Sequence, residues 1–391
     1  MSRGVSVIGS GVTKFGELWE TSFRTLIGEA GMAAVGDAHI AGEDIGAVYV
    51  GSMSAGRFIG QEHVGALVVD EAGLAHHHLP ATRIEAADAS GAVALRQAAL
   101  AIASGEHDIV VVGGVEKMTD VIDQEQTNTL ATALDQEWEA FYGATYPSLY
   151  ALMATAHMAE HGTTREMLSA VSIKNHAAGA KNPLAAYPFP LKPGAVEGSP
   201  LIADPLRMFD CAANVDGAAA IVLCASERAT EFTDKPVELT ACTQASDHLA
   251  LHDRASLTSM PATRVAAKRA FERAGMTPHD IDVAELHDAF TISEIIALED
   301  LGFCAPGAGG KAALNGDTTL TGKLPVNPSG GLKARGHPPG ATGLAQVHEL
   351  TQQLRGVSGE RQVADARVGL AHNLGGTGGS AVVSILKRGW A

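Results

Sequence analysis

Glu85-Ala86-Ala87-Asp88-Ala89-Ser90-Gly91 is followed by an Ala/Leu-rich run from Ala92 to Ala103, a stop at Ser104-Gly105 and the β-branched run Ile109–Val112. The stretch reads as a short strand, Ile84–Ala87, running into a polar turn, then a long helix, then a strand covered on both faces. The same alternation continues on either side. Val5–Ile8 and Ile45–Val50 read as strands around a helix-length segment, Ser22–Ala34. Downstream, Ala218–Cys224, Val237–Cys242, Ile281–Leu286, Val368–Ala371 and Ala381–Leu386 read as strands. Helices are expected at Ala262–Ala274, Ser293–Leu301 and Ala341–Leu354. Strands and helices in alternation predict an α/β protein.

The chain also echoes itself. Asp216-Gly217-Ala218-Ala219-Ala220-Ile221-Val222-Leu223 resembles Gly378-Gly379-Ser380-Ala381-Val382-Val383-Ser384-Ile385-Leu386. Each sits late in a series of loop, helix and β-branched strand, so two similar halves are expected, residues 1–235 and 236–391. Residues from about 119 to 204 break the pattern with most of the tyrosines and a Pro-rich stretch from Pro183 to Pro200. They are read as a partly helical lid inserted into the first half.

Composition narrows the function. With 391 residues, 46% of them hydrophobic, the chain can bury a large core. Its 28 basic and 44 acidic residues give a formal charge of −16, which argues against binding nucleic acid by phosphate neutralisation. No apolar run reaches the ~18–20 residues that span a bilayer. The start, Met1-Ser2-Arg3-Gly4-Val5-Ser6-Val7-Ile8-Gly9, reads as a first strand rather than a signal peptide. Cys211, Cys224, Cys242 and Cys304 are widely spaced, offering neither a zinc knuckle nor a disulfide framework. A cytoplasmic protein is expected, with no metal site and no membrane contact. The run His76-His77-His78 does not change this, because three adjacent side chains cannot all face one ion.

Polar groups gather in four short segments at strand ends or helix starts. Besides the Asp88 turn, these are His287-Asp288-Ala289-Phe290, Gly336-His337-Pro338-Pro339-Gly340 and His372-Asn373-Leu374-Gly375-Gly376. A lone histidine is more often structural, and an Asp before a helix is more often its cap. Three histidines and an aspartate at comparable strand ends mark where an α/β fold places a site.

With Gly114-Val115-Glu116-Lys117-Met118 and Val326-Asn327-Pro328-Ser329-Gly330-Gly331, these motifs make the whole chain resemble the thiolase superfamily, most of all its sterol-carrier-protein-type and archaeal members. The resemblance implies a five-layer αβαβα fold of two similar halves with an inserted lid, usually a homodimer, acting on acyl-coenzyme A at the carbon next to the thioester carbonyl. No bound cofactor is implied beyond the coenzyme A thioester itself. His337 matches the histidine that activates the family's nucleophilic cysteine and helps polarise a thioester oxygen. His287 matches a residue of the oxyanion hole, and His372 lies where relatives keep part of the acid/base apparatus. Lys174, His176, Arg335 and Ser246 are candidate coenzyme A contacts.

The departure is at the nucleophile. Asp88 stands where the family has cysteine, the first 210 residues contain no cysteine, and Ala289 replaces the cysteine of the family's His-Asp-Cys-Phe motif. Attack by a carboxylate on a thioester gives a mixed anhydride, uphill and prone to hydrolysis. The expectation is therefore noncovalent lyase chemistry, a retro-aldol cleavage of a 3-hydroxyacyl-CoA. Asp88 and His372 are its expected acid/base unit and a lid tyrosine is the rival. Thiolase-like aldolases of this sort commonly work with an OB-fold zinc-ribbon partner protein. The alternatives are an acetyl-CoA acetyltransferase-type enzyme and a noncatalytic acyl-CoA-binding subunit.

Overall fold

The computed structural model describes residues 3–192 and 194–390. Met1 and Ser2 of the expected first strand, and Pro193 of the Pro-rich stretch, lie outside the described residues. The strands in chain order are β1 (Val5–Val12), β2 (Ala47–Gly51), β3 (Ala81–Ile84), β4 (Ile109–Glu116), β5 (Leu201–Ala203), β6 (Leu206–Arg207), β7 (Gly217–Ala225), β8 (Val237–Ser246), β9 (Val283–Glu285), β10 (Val368–Gly375) and β11 (Ser380–Arg388). β5 and β6 form a small hairpin, and the other nine make one mixed sheet in the order β3-β2-β4-β7-β1-β8-β11-β10-β9.

The sheet changes halves between β1 and β8, which share the two residue pairs Ser6↔Glu238 and Val7↔Val237. On either side the order repeats in mirror sense. β2 pairs in parallel with β3 and β4, as β9 does with β10. The counterpart of β3 in the second half is reduced to a single parallel bridge, Ala284↔Val326.

Three apolar clusters fill the four spaces between five layers, the central one lying on both sides of the buried helix layer. Helix Phe23–Ala38 packs Leu26, Ile27 and Ala30 on one face of the first-half sheet. The central cluster joins helices Ser90–Ser104 and Pro339–Arg355 through Leu95, Ile102, Leu344 and Leu350. The third holds helix Pro261–Ala274 and helix Thr291–Asp300 against the second-half sheet. The result is a large mixed sheet with helices on its faces and two helices buried between its halves.

The two central helices cross where neither has a side chain. A Cβ on Gly91 would lie 2.4 Å from Gly340 O of the other helix, and one on Gly340 would lie 2.5 Å from Val115 O of β4. That contact sets both helix N-termini, and the residues just before them, side by side.

The lid consists chiefly of helices. Tyr146–His161 opens on a Thr145 cap with Pro147 in its first turn and stops at Gly162, whose φ is +71°. A second long helix, Arg165–Gly179, follows. Leu149, Tyr150, Met153, Leu168 and Val171 share a cluster with Ile292, Ile295 and Ile296. The lid thus belongs to the core of the second half as well as covering the site. One sequence reading was displaced by a few residues, because Ile84–Ala87 is the end of β3 plus the turn. The strand begins at Ala81, hidden in the sequence by the polar Thr82 and Arg83 of a half-buried edge. No helix among the described residues is long and apolar enough to cross a membrane.

Candidate active site

The turn that presents Asp88 is held locally. Ala86 N donates to Ser90 Oγ at 2.9 Å, Ser90 Oγ donates to Ala87 O at 2.6 Å, and Ala87 N donates to Glu85 Oε1 at 2.6 Å. Ala87 sits at φ +51°, a left-handed conformation costly for any residue with a Cβ. The result pushes the Asp88 side chain under the N-terminus of helix Ser90–Ser104, fully inside the protein.

There the carboxylate meets three donors. His337 Nε2 lies 3.0 Å from Oδ1, while Tyr146 Oη and Gly376 N donate to Oδ2 at 2.9 Å each. Burial alone would raise its pKa, but the hydrogen bond and charge of His337, with the Gly376 N–H, outweigh it and hold the group at about 2. Asp88 is an ionised, saturated carboxylate. Tyr146 responds in the opposite direction: burial, then the Asp88 charge, push its phenol well above 10, so it stays a neutral donor.

His337 is steadied from its other side, with Nδ1 2.7 Å from Thr342 Oγ1. His287 follows β9, and its ring stands at 90° to that of His337 with centroids 5.2 Å apart. Asn373 Nδ2 lies 2.9 Å from His287 Nδ1. With the amide donating, Nδ1 accepts and the hydrogen sits on Nε2. Burial, then His337, drive the His287 pKa well below 6.5, so the ring is neutral. Its Nε2 has no protein partner among the described residues and the residue lines the cavity. A neutral imidazole N–H aimed at a cavity is an electrophile, suited to an oxygen that gains charge.

The cavity has a volume of about 680 Å³ and a mostly apolar wall that includes Leu130, Tyr150, Tyr187, Phe189, Phe209 and Phe290. Asp88, Tyr146, His176, His287, His337 and Ala289 line it, and Asp88 is its one carboxylate among the described residues.

Other candidates fall elsewhere. The expected pairing of Asp88 with His372 is not formed. Neighbours along a strand face opposite ways, so Asn373 reaches His287 while His372 turns to helix Pro261–Ala274, with Nε2 2.9 Å from Thr263 Oγ1. Burial pushes His372 down to about 3, and it does not line the cavity. The rival, a lid tyrosine, is the group that touches Asp88.

Lys174 and Arg335 are not available for coenzyme A phosphates. Lys174 Nζ is buried 2.9 Å from Glu294, and Arg335 is buried 3.3 Å from Glu285 and 3.2 Å from Ser329 Oγ. Ser246 is exposed at the end of β8, paired to Ser380 and away from the cavity. His176 does line the wall, where burial and the charge of Lys333 lower it to about 4.

Lys333 and Cys211 are lining residues with no place in the site as read from the sequence. Lys333 is buried, pulled below its ordinary pKa by burial, with Nζ donating to Cys211 O at 2.8 Å. A lysine in the Gly-rich segment ahead of His337 was the available signal. Cys211 also lines the cavity, but burial pushes its thiol up to about 11 and leaves it un-ionised near neutrality.

A duplicated α/β scaffold whose strand-end turns meet beneath an apolar cavity defines a thiolase-type site. The chain belongs to the thiolase superfamily. Residues 5–188 match the family described as Thiolase, N-terminal domain, and residues 243–388 match Thiolase C-terminal domain-like. An acetyl-CoA acetyltransferase of Methanothermobacter thermautotrophicus is 55% identical over 99% of this chain and 100% of its own. Sterol carrier protein 2 of Bos taurus is 34% identical over 99% of this chain and 72% of its own length. Among solved structures, the Ltp2-ChsH2(DUF35) aldolase superposes with a TM-score of 0.85 at 25% identity, covering 98% of each chain.

Proposed function

We propose that this protein cleaves a carbon–carbon bond of a 3-hydroxyacyl-CoA by a retro-aldol reaction, without an acyl-enzyme. The observation that carries the reading is the ionised Asp88 carboxylate, held by His337, Tyr146 and the Gly376 N–H beside a neutral His287. A carboxylate so saturated is a poor nucleophile toward a thioester. The donors around it suit a different task.

The thioester oxygen takes the Nε2–H of His287. The substrate's 3-hydroxyl replaces Tyr146 on Oδ2 of Asp88 and gives up its proton there. The bond between C2 and C3 breaks, C3 leaves as a carbonyl, and the electron pair passes to the thioester enolate stabilised at His287. Tyr146 relays the proton that finally returns to C2. Three donors hold Asp88 at about 2, so proton transfer follows the loss of one of them as substrate enters. The apolar wall suits a large acyl group.

The 55% identity to an acetyl-CoA acetyltransferase favours a second reading, acyl transfer between thioesters. One experiment separates the two. The purified chain is supplied with a panel of 3-hydroxyacyl-CoA thioesters, and separately with acetoacetyl-CoA plus coenzyme A. The retro-aldol reading expects release of an aldehyde or ketone, reduced by ~10²–10⁴-fold in Asp88→Asn, and no thiolysis of acetoacetyl-CoA. Thiolysis by the native chain, or an Asp88→Asn variant with undiminished cleavage, would overturn it. The aldolase relative is named with a second component, ChsH2(DUF35). We propose a homodimer of this chain with an OB-fold zinc-ribbon accessory protein as the working form, so the assay is run with and without that partner.

A further inference from the structure

Tyr146 and Tyr150 open a helix whose other end carries His157 and His161, four residues apart and so on one face. Glu299 meets them from helix Thr291–Asp300, the element that follows His287. The three side chains offer ligand atoms that all lie within 4.8 Å of one another.

The one close pair has a separation that fits two ligands of one ion as well as a long hydrogen bond. His157 Nε2 and Glu299 Oε2 are 3.3 Å apart. A charge-assisted N–H···O contact prefers ~2.7–2.9 Å, whereas ligands bound at ~2.0–2.1 Å to one tetrahedral ion stand ~3.3 Å from each other. The supporting contacts are also those that hold ligands. His157 Nδ1 lies 2.7 Å from Thr163 Oγ1, which fixes the ring with Nε2 toward Glu299. Glu299 accepts from Gly307 N at 2.8 Å and Gly309 N at 2.9 Å, one bond to each oxygen. His157 is buried, while the His161 side chain keeps 19% of its surface exposed, which leaves a path for an ion and room for water.

We propose that His157, His161 and Glu299 bind one transition-metal ion of the Zn2+ class, with water as the fourth ligand. Two imidazoles and a carboxylate favour Zn2+, Co2+ or Ni2+ over Ca2+ and Mg2+, which prefer all-oxygen sets. The ion is structural. It ties the lid helix that delivers Tyr146 to the helix that follows His287, and so fixes two walls of the cavity from behind. The inference stands whether or not the retro-aldol reading does.

The test uses the full chain stripped of metal with a chelator, then titrated with Co2+ and with Zn2+. One Co2+ per chain is expected, with the visible absorption of tetrahedral coordination, displaced by Zn2+. Zn2+ should raise the melting temperature in a concentration-dependent way. His161→Ala, at a partly exposed position, should weaken binding by roughly 100-fold or more, with Glu299→Gln as the second variant. The exposed His76-His77-His78 run is the competing chelator. Replacing all three with alanine should leave the tetrahedral signal intact. Absence of stoichiometric binding, or a signal lost in the triple variant and kept in His161→Ala, would overturn the proposal.

Discussion

The two halves solve one problem in two ways. In the first, β3 turns through residues 85–89 into helix Ser90–Ser104 and on to β4. In the second, Val326 leads through residues 327–338 into helix Pro339–Arg355 and on to β10. Each turn delivers one polar side chain to the crossing, Asp88 from the first and His337 from the second, 3.0 Å apart. The first turn is short, has no glycine before its helix and is tied by its own neighbours Ser90 and Glu85. The second is longer and winds through Gly330, Gly331 and Gly336 at positive φ. It is held from far away, by Glu285 accepting from Ser329 N and Asp288 accepting from Leu332 N. The matching order of elements brings the two groups together, and differently built turns deliver the acid and the imidazole.

The largest effect should come from the start of helix Pro339–Arg355, where the second half sits on the strands of the first. In Gly340→Ala the new methyl would meet two backbone oxygens, Val115 O at 2.5 Å and Gly51 O at 2.7 Å, neither the end of a flexible side chain. The start of helix Pro339–Arg355 must then lift from the ends of β2 and β4, and a loss of about 3 kcal/mol is expected from overpacking. Urea denaturation checks this, and an unchanged midpoint would mean that the helix start is loosely packed on these strands.

Next comes Glu116, which belongs to the first half yet accepts from Gly340 N of the second at 3.1 Å, as well as from Met53 N and Ser54 N. Burial raises its carboxyl to about 7 against these three donors. A folded pKa above the unfolded value means that the proton favours the fold. Stability is therefore greatest below about 4.5 and falls as pH rises through 7, by about 3 kcal/mol. Glu116→Gln should flatten that decline in denaturation curves taken between pH 4.5 and 8. Asp88 has the opposite sign. Its pKa is depressed to about 2, so its contribution of about 2 kcal/mol is present above pH 4 and lost as pH falls through 2. In Asp88→Asn the acid-side loss should shrink while the neutral side keeps its slope. Equal curves for wild type and variant below pH 4 would contradict an ionised Asp88.

How much of this was legible follows the same division. Asp88, His287 and His337 could be found because strand ends and small residues announce them within a few positions. The duplicated α/β order could be read because β-branched runs and Gly stops recur. Lys174 and Arg335 misled because the carboxylates that absorb them, Glu294 and Glu285, stand 120 and 50 residues away in sequence. His372 misled for a simpler reason, since one step along a strand reverses the face and Asn373 took the inward place. The lid was recognised by its tyrosines, but its packing into the second half rests on pairs such as Tyr150 stacked on Phe290, at 4.3 Å between centroids. No local pattern encodes a partner at that separation.

The smallest effect would equalise the two turns. Ala87→Gly gives the first turn what the second already has, a glycine at positive φ. Relief of the left-handed strain at Ala87 is worth about 1–2 kcal/mol, and the greater freedom of glycine in the unfolded chain takes back about 0.5–1 kcal/mol. A net gain of about 0.5–1 kcal/mol is expected in urea denaturation. The contacts of Ser90 with Ala86 and Ala87 are to backbone atoms and survive the change, so Asp88 should keep its hydrogen bond to His337. The acid-side pH dependence should therefore match that of the parent chain. If Ala87→Gly were instead less stable, the turn would not be strained, and its rigidity would come from the alanine methyl packing above Asp88.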